Sequence, residues 1–95
     1  MANFATHETH ILKPLLDRYE QNRNSKLLLL SIAYHLVKFA PHPFDCYHWY
    51  SKTEREAAVA LLKANGLGGF CNLSPRCKKQ TLKAIMQAAK TIKEA

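Results

Sequence analysis

The stretch from Ser25 to Ala40 is apolar almost all the way round a helix, and it constrains the fold more than any other part of the chain. At about 100° per residue, its polar exceptions Ser31, His35 and Lys38 fall at i, i+4 and i+7 and leave one thin wet stripe. A helix with so little polar surface has to be covered on most sides, so it belongs at the centre of a helical bundle. It is well short of the roughly 20 residues a helix needs to cross a bilayer, so no membrane span is expected. Pro41-His-Pro43 ends it, because the residue before a proline resists the helical region.

Three more segments carry a helical period. The first, about His7–Asn22, places Ile11, Leu12, Leu15, Leu16 and Tyr19 on one face. Pro14 removes one backbone hydrogen bond there, which predicts a kink or a late start near Lys13. Gln21–Ser25 is polar and reads as a turn. The third helix begins near Ser51, whose spacing to Glu54 matches a capping box, and runs through Ala57, Ala58, Leu61 and Leu62 to a stop at Gly66. The fourth takes Ser74 as N-cap and Pro75 as its first residue. Between them, Asn65–Leu73 is a loop holding all three glycines. No segment alternates like a strand; a short helical turn is allowed within Phe44–Tyr50. The expectation is an all-α protein, one small domain over residues 1–95, built as a bundle of about four helices. An apolar share of 47% in 95 residues supports a modest single core.

Met1–His10 is polar and lacks the regions of a signal peptide. The three cysteines are an odd number. Both point to a soluble protein of the reducing cytoplasm, with thiols free.

Charge is concentrated at one end. The net charge is +7; residues 1–73 hold eight cations against six acids, and residues 74–95 hold six against one. From Ser74 to Lys93 there is no acid at all. On the helical wheel Arg76, Lys79, Gln80, Lys83, Gln87 and Lys90 share one arc, and Leu82, Ile85, Met86, Ala89 and Ile92 are expected on the other side. Arg76, Lys78 and Lys79 fall in the expected first turns, where the helix dipole disfavours cations, so an anion there would offset a local cost. Arg76, Lys78, Lys79, Gln80, Lys83, Gln87 and Lys90 are therefore the candidate anion- or nucleic-acid-binding residues. In a major groove, Arg or Lys reads guanine and Gln reads adenine. Helices three and four also invite a helix-turn-helix reading, but a nine-residue connection is longer than that motif uses. An antiparallel hairpin is the plainer expectation.

The block from Phe44 to Tyr50 holds four of the nine aromatic residues. Such side chains anchor interfaces or stack on unpaired bases, yet a small bundle also needs a lid over its core. Phe44, Tyr47 and Trp49 suit the lid, and His48 and Tyr50 the surface. His48, Trp49 and Tyr50 are the candidate protein-interface residues.

Cys46, His48, Cys71 and Cys77 form a weak alternative zinc set. Structural zinc sites use tighter cysteine pairs, so three core thiols are the plainer reading and no metal or other cofactor is expected. The acids are scattered, and Gly66-x-Gly68-Gly69 lacks the lysine and strand of a phosphate loop. The chain is therefore expected to be a non-enzymatic binding or regulatory protein whose basic last helix docks on a polyanion, most plausibly nucleic acid. The alternative is a protein-interaction module, an inhibitor or adaptor of the phage or plasmid type, that meets an acidic protein surface through the aromatic block and the basic face. Homodimerisation is compatible with either.

Overall fold

α2 (Lys26–Lys38) lies at the centre, as its composition requires. Six of its thirteen residues are buried, and Ile32, Ala33 and Leu36 are wholly so. The computed structural model describes residues 7–41 and 47–94. Around α2 pack α1 (Leu12–Gln21), α3 (Lys52–Ala64) and α4 (Lys78–Glu94), making an all-α bundle of four helices. A two-residue parallel pairing of β1 (His7–Glu8) with β2 (Tyr47–His48) is too short to form a layer. Leu12 from α1, Ile32 and Leu36 from α2, Leu62 from α3 and Ile85 from α4 meet in one core. Among the described residues no helix is long and apolar enough to cross a membrane.

The helix ends follow local chemistry. α1 starts late, at Leu12, which leaves Pro14 in the first turn where its missing N–H costs nothing. The Ser25 side chain accepts from the Leu28 amide at the head of α2, and Ser51 and Glu54 form a reciprocal capping box on α3. α3 stops at Gly66, whose φ of +73° is a left-handed backbone that side chains with a Cβ rarely adopt.

Two expectations about the fold are corrected. α4 begins at Lys78, not Pro75. Ser74–Cys77 forms a tighter turn, closed by the Cys77 amide on the Ser74 carbonyl at 3.1 Å. The Ser74 amide donates to the Asn72 side chain at 3.0 Å, and such local bonds compete with helix initiation. In addition, α3 and α4 form neither a helix-turn-helix nor a hairpin. α4 packs chiefly on α2 and runs antiparallel to it: Pro75 and Lys78 share a cleft with Ala40 and Pro41 just beyond the end of α2. The described part of the aromatic block is a paired strand and a bend with no helical turn, and Phe44 lies outside the described residues.

Tyr50 and Trp49 exchange their expected places. Tyr50 is buried and donates its hydroxyl to the Leu36 carbonyl at 2.7 Å. That carbonyl lies in the last turn of α2, where intrahelical partners run out, so a side chain from 14 residues away completes the helix end. Burial pushes the Tyr50 phenol up to about 12 against a weaker opposing effect of Arg55. Ionisation therefore favours the unfolded chain. This contribution to stability is complete below pH 10 and is lost as the pH rises towards 12. Tyr50→Phe is expected to cost about 1 kcal/mol in a denaturant melt at neutral pH, and to remove part of the alkaline loss. Trp49, by contrast, is 42% exposed.

Candidate functional site

Lys79, Lys83, Lys90 and Lys93 are all exposed on α4. At about 100° per residue they fall within one arc of roughly 80°, and the stripe runs about 21 Å along the helix. Among the described residues, Lys90 alone of these forms an ion pair, with Glu94 at 3.8 Å and both side chains mostly in water. A pair that long and that wet neutralises little. No ion pair is made by Arg76, Lys78, Lys79, Lys83 or Lys93 among the described residues. The first turn of α4 contains no acid. Among the described residues, Glu94 is thus the one carboxylate paired with this cationic face.

The stripe gains Lys93, which the expected set left out, and differs from that set in three further places. Arg76 is exposed but stands in the turn before α4, so it flanks the helix end. Lys78 is half-buried in the cleft with Ala40, Pro41 and Leu73, because it points about 100° away from Lys79 and towards the end of α2. Met86, expected in the core, is 59% exposed. It sits about 20° from Lys79 on the wheel, in the middle of the lysines, while Thr81 and Ile85 take the buried face. Gln80 and Gln87 are exposed on one flank of the stripe.

Beside the stripe runs a shallow cleft of about 190 Å³ between α2 and α4. It is lined by Leu27, Leu30, Tyr34, Met86, Ala89 and Lys93 among others, and Leu27 is 37% exposed. Tyr34 begins an aromatic row that continues along the last turns of α2. The Tyr34 and His35 rings meet edge to face at 5.7 Å, His35 stacks on Phe39 at 5.9 Å, and Phe39 meets Trp49 at 5.1 Å. The Lys38 ammonium lies 5.4 Å from the centre of the Tyr34 ring and 5.7 Å from that of Phe39. Those are cation–π distances. His35 Nδ1 lies 2.8 Å from the Ser31 carbonyl, which can only accept, so that nitrogen carries the proton. The Trp49 backbone is fixed from the other side, its carbonyl accepting from the Thr9 hydroxyl at 2.7 Å and the Ile11 amide at 3.1 Å.

Sequence reasoning treated Lys38 and His35 only as a wet stripe and passed over Tyr34 and Phe39. The available signal was their spacing, since Tyr34 and Lys38, like His35 and Phe39, are one turn apart. Of the candidate interface residues, Trp49 is exposed and His48 is half-buried, and Tyr50 is withdrawn into the core by its bond to Leu36.

Of the zinc alternative, His48, Cys71 and Cys77 are among the described residues. Cys71 and Cys77 are half-buried free thiols, and burial pushes the Cys71 thiol up, against a smaller opposing effect of Lys63. Cys77 also precedes α4 and is not in its first turn. Cys46 lies outside the described residues, and among those described no three His, Cys, Asp or Glu side chains gather to hold a metal.

Among the described residues, one close pairing of titratable groups involves a buried carboxylate. His10 Nδ1 lies 2.7 Å from Glu54, whose carboxylate also accepts from the amides of Lys13 at 2.8 Å and Ser51 at 2.9 Å. Burial by itself pushes this carboxyl up. The Ser51 backbone and side chain, His10 and the Lys13 amide outweigh that effect and hold it below the ordinary range. With both oxygens committed to amides at the heads of α1 and α3, the group ties two helices together. No family model, curated protein or solved structure matches this chain.

Proposed function

We propose that this chain is a non-enzymatic protein that binds a polyanion, most plausibly nucleic acid, through the outer face of α4. The observation that carries the reading is the exposed row Lys79, Lys83, Lys90 and Lys93, which among the described residues forms one ion pair, long and at the surface. Four cations on a rigid rod suit a linear array of phosphates, and each phosphate they neutralise releases condensed counterions. Binding of an oligonucleotide should therefore weaken with salt, with a slope of about −3 to −4 in log K against log salt. Fluorescence anisotropy of a labelled oligonucleotide at several salt concentrations measures it, and a flat profile defeats the proposal.

The exposed Leu27 and Met86 favour a second reading, in which an acidic protein surface docks over the cleft. Under it, Met86→Ala weakens capture of the partner more than loss of any one lysine, because interface energy concentrates in apolar anchors. Nuclease treatment then leaves capture intact.

A further inference from the structure

We propose that the polyanion is single-stranded nucleic acid, its bases stacking on the aromatic row that ends at Trp49 and its backbone following the lysines of α4. This rests on the polyanion reading above and gives that site its substrate class. The two surfaces are continuous. Tyr34 lines the cleft together with Met86 and Lys93, and Met86 stands among the lysines of the stripe. From Tyr34 the rings pass through His35 and Phe39 to Trp49, each within 6 Å of the next. Trp49 is 42% exposed, and its backbone carbonyl is held by Thr9 and Ile11.

The chemistry separates single strands from other polyanions. Bases within a duplex are already stacked and present no ring face to a side chain, whereas a single strand presents one at every nucleotide. Lys38, lying over Tyr34 and Phe39, places a cation within the aromatic row itself. Such interleaving suits a chain that alternates bases with phosphates.

The chain has a single tryptophan, so the proposed contact reports on itself. The test is titration with a twelve-nucleotide oligothymidylate, with the duplex it forms with oligoadenylate, and with heparin, following Trp49 fluorescence and, separately, anisotropy of the labelled ligand. Oligothymidylate is expected to quench Trp49 and to bind about tenfold more tightly than the duplex, while heparin binds without quenching. Trp49→Ala should lower oligothymidylate affinity about tenfold and leave heparin affinity within twofold. Trp49→Phe should recover most of that loss. Equal affinity for all three ligands without quenching overturns this inference and leaves the polyanion reading standing. Failure of all three to bind overturns both. Equal losses on every ligand in Trp49→Ala, at unchanged quenching by duplex and single strand in the native chain, assign Trp49 a structural role and overturn the inference as well.

Discussion

Replacing Lys79 and Lys83 together by glutamate is expected to weaken oligonucleotide binding by two to three orders of magnitude near 0.1 M salt. Under counterion release each neutralised phosphate is worth close to a factor of ten there, and two reversed charges both remove attraction and add repulsion. The fold should tolerate the change. Both side chains are exposed, neither has an ion pair among the described residues, and acids near the head of α4 interact favourably with its dipole. The double variant should thus melt at or slightly above the temperature of the parent, and its salt slope should flatten towards zero. Anisotropy and a thermal melt on the same sample check both halves. Unchanged affinity with an intact fold removes the basic stripe from the function. The result also separates charge from aromatic contact, since Trp49 remains in place.

Glu54→Ala is expected to cost about 3 kcal/mol of stability. One carboxylate satisfies the Ser51 amide at the head of α3 and the Lys13 amide at the head of α1, and it meets His10 as well. Loss of a capping box costs about 1 kcal/mol, and leaving a partly buried amide without its charged acceptor costs about 1–3 kcal/mol more. For a domain of 95 residues a loss of that size lowers the melting temperature by about 12–20 °C. The pH dependence has a definite sign. Glu54 titrates below its ordinary value of 4.5 in the folded chain, so the unfolded chain takes up its proton first. Its contribution is complete above about pH 4.5 and is lost as the pH falls through the lowered folded value. Glu54→Ala should lack that acid-limb loss, and a melt repeated between pH 3 and 6 shows whether it does. A variant as stable as the parent at neutral pH contradicts the clasp.

Much of this architecture is written locally. The central place of α2 follows from its nearly continuous apolar surface. The late start of α1 follows from Pro14, and the head and stop of α3 follow from Ser51, Glu54 and Gly66. Each depends on residues within a turn or two of one another, and a single chain states such relations directly. The exposed lysines of α4 are legible in the same way, because a wheel needs only spacing; careful placement on that wheel also puts Met86 among them.

Other features had to wait for contacts between distant parts. Trp49 and Tyr50 stand side by side in a bend, and no local preference chooses which of two adjacent aromatics turns inward. The Leu36 carbonyl, short of a partner at the end of α2, drew in Tyr50 and left Trp49 at the surface. Glu54 shows its capping box in the sequence but not its grip on Lys13, 41 residues earlier. The pairing of α4 with α2, past its sequence neighbour α3, is likewise a matter of which apolar faces fit. Sequence spacing thus determined the helices, the ends of α2 and α3 and most of the basic row, while the start of α4 was set by the turn before it. Only packing decided which aromatic faces water and which surface lies beside the lysines, because burial and long-range hydrogen bonds are properties of the assembled core.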